Sequence, residues 1–414
     1  MRDAAASGAA AELDHDVVRR AVISGIGQSD VGRRLFRSSL SLTLDAALAA
    51  VEDAGLTRDH IDGLAAYPGG GGAAPGFAGP SLLEVHDSLR LELSWYTSGV
   101  DVPAQLSPVM QAAMAVGSGM ARHVLVYRTV TEGSARSRAR AATEGAGSPA
   151  GGSSPGPAPR VEGPMQWLAA YGITGAPQWY AFYVRRYMHD FGLTREQLAQ
   201  VPLSARTKAA LNPKAVYREP VSLDDYLTSR MIADPLCLYD CDVPCDGATA
   251  FVVSRAGRID APSGHLVEIQ SAGAGAGPRM YRDQFADVWW AGPAADQLWS
   301  RTELEQSDVD TAQLYDGFSF LALAWLESLG FCGRGEAGDF VDGGRRIALD
   351  GELPLNTGGG QLAAGRLHGL GHLHEACLQL RAQAGARQVP DAEVAIVATG
   401  GQPNMGCLLL TRSR

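Results

Sequence analysis

The strongest constraint on this chain is an alternation found in both of its halves: a short apolar run, often closed by glycine, beside a segment with helical spacing. Ala21 to Gly27 is such a run, and Leu42 to Ala54 follows it with apolar residues at helical intervals. Leu64 to Tyr67 closes on the glycine-rich stretch Pro68 to Gly72, and Val109 to Gly119 leads as a helix into the apolar Val124 to Tyr127. In the second half the pattern predicts strands over 248–253, 266–272, 309–314 and 394–398, and helices over 320–329 and 371–384. Strands alternating with helices build layered α/β domains. Two similar α/β halves suggest an internal duplication, although no residue-level repeat proves it.

The segment between the halves has a different character. Ser134 to Arg160 is rich in Ser, Gly, Ala, Pro and Arg, has little apolar surface to bury, and is expected to be a mobile excursion. Val161 to Arg218 reads as helices with aromatic-rich turns that include Trp179, Tyr180, Phe182 and Tyr183, and Thr194 caps a helix with Glu196 and Gln197 in its first turn.

At 414 residues and 46% hydrophobic, the chain can bury a large core in two or three domain-sized units. A net charge of -10 argues against a nucleic-acid binder, which needs a clustered excess of Lys and Arg. Met1 to Glu12 has no basic flank before a long apolar run, so neither signal peptide nor membrane anchor is expected, and the expected location is the cytoplasm. Six cysteines, mostly in apolar segments, suit reduced thiols better than a disulfide framework.

Cys237, Cys241 and Cys245 invite a metal reading, but Pro244 and an Asp-Gly turn interrupt them and no second ligand pair accompanies them, so buried thiols are expected. His368, His372 and His374 stand among glycines, which suit close backbone approach to a ligand better than zinc binding. No metal is expected. Gly25-Ile26-Gly27 lacks the third glycine of a dinucleotide fingerprint. Arg185, Arg186, Arg206, Lys208, Lys214 and Arg218 either bind phosphates or form a solvated helical face.

Four segments together resemble one family. Leu236 to Ala248, ending in Asp246-Gly247-Ala248, is similar to the strand-entry motif of the sterol-carrier-protein thiolases and related lipid-transfer proteins. Tyr315-Asp316-Gly317-Phe318 resembles the thiolase Asn-Glu-Ala-Phe motif in its His-Asp-Cys-Phe variant. Asn356 to Gly360, with Gly365 and Gly369, resembles the family's Asn-x-x-Gly-Gly…Gly-His-Pro-x-Gly segment, and Ala398 to Gly406 its C-terminal glycine-rich loop.

The resemblance implies a five-layered αβαβα thiolase fold with a helical loop-domain insertion. The units are then 1–130, an insertion over 131–245 with a flexible 134–160, a strand over 246–263 that completes the first half, and 264–414. It also implies a homodimer joined at edge strands of the first half.

The departures from the family bear on chemistry. A thiolase carries its acyl group on a cysteine, and the matching position falls near Val102, where no cysteine lies. The catalytic histidine's place falls near Arg366, with His368 two residues on, and Thr399 to Gly406 lacks the second cysteine. Retro-aldol cleavage of a β-hydroxyacyl-CoA survives these losses, because it needs only a base and donors for the thioester enolate. The chain is similar to the steroid side-chain-cleaving aldolases of this branch, which pair with a small OB-fold protein.

The expected function is therefore an acyl-CoA retro-aldolase acting on a bulky β-hydroxyacyl-CoA, with CoA as part of the substrate and no other cofactor. The expected catalytic candidates are Tyr315, Tyr239, His368, Asp316 and Asp240, the two aspartates having turn or cap roles as their alternative. Asn356, Gly359, Gly360, Arg366, His372, Gly400 and Gly401 are the expected substrate and oxyanion contacts. An acyltransferase and a non-catalytic acyl-CoA-binding subunit remain the alternatives.

Overall fold

The computed structural model describes residues 16–68, 75–99, 104–145, 165–173, 175–259, 264–276, 291–401 and 404–413. Its strands are β1 (Ala21–Gln28), β2 (Gly63–Ala66), β3 (Trp95–Ser98), β4 (His123–Thr131), β5 (Met231–Ala233), β6 (Leu236–Cys237), β7 (Asp246–Arg255), β8 (Val267–Ala276), β9 (Thr311–Leu314), β10 (Val394–Gly401) and β11 (Asn404–Arg412). Apart from the small β5–β6 hairpin they form one sheet in the order β3-β2-β4-β7-β1-β8-β11-β10-β9.

The sheet consists of two halves joined at a narrow seam, where β1 meets β8 through the pairs Val22–Glu268 and Ile23–Val267. Outward from the seam, each half places its first strand, then its last, then the one preceding the last, then its second. The fifth place is filled by β3 on one side and, on the other, by Leu355, which bridges Ala312 of β9 in parallel. This common order supplies, at the level of topology, the repeat that no residue-level match shows.

Side chains alternate between three apolar layers. On β4, Leu125 and Tyr127 face the helices Ser39–Asp53 and Leu82–Leu89, while Val124 and Val126 face the helices Ser107–Gly117 and Leu370–Leu380 in the middle. On β11, Leu408 and Leu410 face that same middle layer, while Cys407 and Leu409 face the outer helices that include Gly292–Trp299 and Ser319–Ser328. Strands covered on both faces explain why the runs read as continuously apolar instead of alternating.

The insertion packs as helices on the outer face of the second half. Its Arg195–Ala209 helix begins at the expected Thr194–Gln197 capping box, with Gln197 N donating to Thr194 Oγ1 at 3.1 Å. One expectation is corrected: the stretch read as a mobile excursion begins as a helix, Glu132–Gly145, anchored by Ser134 N donating to Asp246 Oδ1 at 2.9 Å. The buried Asp246 carboxylate at the start of β7 supplies an anchor that local composition does not. The remainder, 146–160, lies outside the described residues.

Candidate functional site

Parallel neighbours within each half end together: β2 and β4 lead into Tyr67 and Arg128–Glu132, and β9 leads into Tyr315 beside the end of β10 at Gly400. Crevices at such carboxyl ends are where α/β sheets bind ligands. The turn from Gly365 to His372 reaches both ends and closes them into one site.

Arg366 is its hub. Its Nε and Nη2 donate to the two oxygens of Glu132 at 2.8 and 2.6 Å, and Nη1 donates to Asp242 Oδ1 at 3.1 Å. One guanidinium thus links the end of β4 to the end of the insertion, and the bidentate geometry fixes its plane. Burial would raise the Glu132 carboxyl, but His368 and Arg366 overcome it and hold the group down to about 2. Asp242 goes the other way: burial pushes it up to about 6, with Arg366 pulling against the rise.

Tyr315 and Asp316 turn out of β9 into this cluster. The Tyr315 ring lies 6.5 Å from the His372 ring, at 63° to it. Burial lifts the Tyr315 phenol well above its ordinary range, Asp242 and Tyr180 add to the rise, and Arg366 and Gln361 oppose it. Asp316 is fully buried; its Oδ1 accepts from Gln361 N at 2.8 Å and lies 3.1 Å from His372 Nε2. Gly360, at a φ of 57°, permits that approach, since a Cβ there would sit 1.9 Å from Asp316 Oδ2. A cavity of about 310 Å³ adjoins the pair, lined by Gln313, Gly360, Gln361, His372, His374 and Lys214.

His368 is buried, adopts a φ of 50°, and meets Phe77 edge-on at 4.5 Å. Its Nε2 is 3.7 Å from Glu132 Oε2. Burial, then Arg128, pushes its pKa down to about 3, so the imidazole is neutral.

Other expected site residues are placed differently. The Asn356 side chain is spent on the backbone of Leu314, accepting from its N–H at 2.7 Å and donating to its carbonyl at 2.9 Å, so it steadies the end of β9. Gly359 donates its N–H to Asn356 O, Gly400 accepts from Trp325 Nε1, and Gly401 pairs with Asn404 in the β10–β11 hairpin. Tyr239 is half-buried against Arg206, 5.4 Å from its ring centroid, within the insertion. Asp240 is fully buried and accepts from Tyr226 Oη, Ser319 Oγ and Cys237 N at 2.9, 2.5 and 2.8 Å. That is a structural junction with its acceptor sites occupied.

The basic residues of the insertion are also engaged. Lys208 is buried, donates to the carbonyls of Ile347 and Leu355, and is pushed down to about 7 by burial, which fits neither a phosphate contact nor a solvated face. Lys214 Nζ donates to the carbonyl of Gln28 at 2.8 Å.

All six cysteines are free, and burial raises every thiol pKa for which a shift is resolved, those of Cys237, Cys241, Cys245, Cys332, Cys377 and Cys407. A nucleophilic cysteine requires the opposite shift. The position near Val102 lies outside the described residues. Among the described residues no three His, Cys, Asp or Glu side chains are gathered so as to hold a metal ion.

Sequence reasoning missed Glu132, Asp242 and Arg128. Arg128 had a readable signal, a charge inside the apolar run Val124 to Val130, where a strand covered on both faces has no ordinary place for one. Asp242 stood in the motif quoted for Asp240. Nothing local to Glu132 marks it, because its partner Arg366 is 234 residues away.

Residues 281–407 match the family described as thiolase C-terminal domain-like. The steroid side-chain-cleaving aldolase of Thermomonospora curvata is 35% identical over 406 residues, 94% of this chain and 97% of the relative. The 17-hydroxy-3-oxo-4-pregnene-20-carboxyl-CoA lyase of Mycobacterium tuberculosis is likewise 35% identical, over 94% of this chain and 99% of its own length. The solved Ltp2-ChsH2(DUF35) aldolase superposes with a TM-score of 0.80 at 33% identity, covering 96% of this chain and 98% of the other. Human mitochondrial 3-ketoacyl-CoA thiolase, at 13% identity and a TM-score of 0.66, shares the fold.

The two-half layered sheet is the thiolase fold, which places the chain in the thiolase superfamily. Within that superfamily, the chain belongs to the family of the steroid side-chain-cleaving aldolases.

Proposed function

We propose that this protein is a carbon–carbon lyase that cleaves a bulky, steroid-like β-hydroxyacyl-CoA by a retro-aldol reaction, giving a ketone and a short acyl-CoA. The observation that carries this reading is a site with a buried tyrosine, a largely desolvated carboxylate of raised pKa ion-paired to Arg366, and no activated thiol. The names of the two relatives at 35% identity support it.

The β-hydroxyl proton passes through Tyr315 to Asp242, and the Cα–Cβ bond breaks as the carbonyl forms. The thioester enolate left behind takes up a proton at Cα. A carboxyl near 6 suits this task, being ionised at neutral pH yet basic enough to accept a proton. Arg366 positions Asp242, and the neutral His368 and the Asp316–His372 pair shape the surrounding wall.

The test is turnover of β-hydroxyacyl-CoA against acetyl-CoA plus CoA. Ketone and acyl-CoA release without an acyl adduct on any cysteine, read by intact-protein mass spectrometry, is the expected result. An adduct on a cysteine would move the assignment to an acyltransferase.

Two assembly features belong to the same reading. Homodimerisation through β3, an edge strand with Tyr96 66% exposed, would cover an otherwise open edge. A second, small OB-fold component is proposed because the name of the solved aldolase joins two components, Ltp2 and ChsH2(DUF35). Among the described residues no helix is long and apolar enough to cross a membrane, and the cytoplasm is the proposed location.

A further inference from the structure

The end of β4 carries a cation that the mechanism above leaves unused. Arg128 is fully buried on a strand whose Val124, Val126 and Val130 are core. Its Nη1 donates to the carbonyls of Tyr67 at 3.3 Å and Thr129 at 3.2 Å, while Nε and Nη2 have no hydrogen-bond partner among the described residues. The guanidinium carbon lies 5.4 Å from the centroid of the Tyr67 ring and 4.8 Å from that of Phe77. Phe77 also abuts His368, neither of whose ring nitrogens completes a hydrogen bond among the described residues. Glu132, whose charge Arg128 feels, is committed to Arg366.

A buried guanidinium with two idle donors is costly, and aromatic faces steady its plane without supplying acceptors. An oxyanion arriving with the substrate would satisfy both donors at once, which the planar fork of arginine suits. The retro-aldol step creates such an anion at one atom, the thioester oxygen, as the electron pair of the Cα–Cβ bond moves into the enolate. The opposing carboxylates, Glu132 and Asp242, are both held by Arg366, and Arg128 keeps two donors open to meet that charge.

We propose that Arg128, braced by Tyr67 and Phe77 and flanked by His368, binds the thioester oxygen and stabilises the enolate. Where the charge arises rests on the aldolase reading; that Arg128 is an oxyanion site does not.

The probe is S-(2-nitroethyl)-CoA, whose nitronate copies the planar charged enolate, compared by calorimetry with the neutral isostere S-(3-methylbutyl)-CoA on the full chain. Wild type is expected to bind the nitronate about 10²-fold or more tightly than the isostere, the lower end for a transition-state analogue. Arg128→Gln should lose most of that preference and keep its affinity for the isostere. A folded Arg128→Gln protein with the full preference overturns the proposal. So does wild type with no preference, a measurement that needs no variant to fold. Preference without cleavage of any β-hydroxyacyl-CoA removes the aldolase reading and leaves the oxyanion site standing; cleavage without preference does the reverse.

Discussion

Asp240 and Asp242 are two residues apart, Asp240 fully buried and the Asp242 side chain 11% exposed, and desolvation raises the pKa of both, yet their surroundings differ in kind. Asp240 sits in the insertion among donors that face it from three directions, Tyr226, Cys237 and Ser319, and those hydrogen bonds work against the rise. Among the described residues the Asp242 carboxylate accepts from the shared Arg366 alone, near Tyr315 in a site where Arg128, Gln361 and His368 keep polar atoms without a partner. A closed hydrogen-bond set locks structure, whereas an incompletely paired one is the arrangement a substrate can complete.

The largest expected effect breaks the open cluster at its hub. Arg366→Met leaves Glu132 and Asp242 as buried carboxylates without their cation and should cost about 3–5 kcal/mol in urea unfolding. A loss below about 1 kcal/mol would mean the cluster does not act as a unit.

Next, Tyr315→Phe and Asp242→Asn should each lower turnover by about 10²-fold, the usual range for losing an acid–base group, with thermal midpoints near wild type. Substituting any single cysteine by serine should spare the chemistry. An unimpaired Tyr315→Phe enzyme would contradict the proton path.

Asp240→Asn inverts the comparison. It mismatches donors already in place and should cost about 1–3 kcal/mol in stability, while turnover per folded molecule stays unchanged. Loss of turnover in fully folded Asp240→Asn would erase the distinction between the two aspartates.

The smallest effect is in pH dependence. If Asp242 accepts the proton, kcat/KM should fall as pH drops through about 6 and the Asp242→Asn variant should lose that limb. For stability the sign is reversed. The folded pKa of Asp242 is raised above its ordinary 3.8, so its contribution is fully present below 3.8 and lost as pH rises through about 6. Glu132, depressed to about 2 from 4.5, contributes above 4.5 and loses that contribution as pH falls through about 2. Unfolding curves of the two single variants across this range separate the effects.

Much was legible in the chain because it is local. Apolar runs and helical spacing give strands and helices, a Thr-x-x-Gln box starts a helix, and four motifs in order give the family and point to Tyr315, Asp316 and the Gly365–His372 turn. What a side chain does with its polar atoms is not local. Asn356 reads as a substrate contact, but its amide is paired to the backbone of Leu314, and the motif points to Asp240 although Asp242 is the carboxylate in the cluster. Only the folded chain brings Arg366 to Glu132 across 234 positions and sets Tyr67 and Phe77 against Arg128. The sequence by itself determined the layers and the order of elements, because periodicity and turn chemistry act over a few residues. The tertiary structure alone decided which buried charges are closed off and which stay open, because desolvation and pairing depend on every element packed around the group.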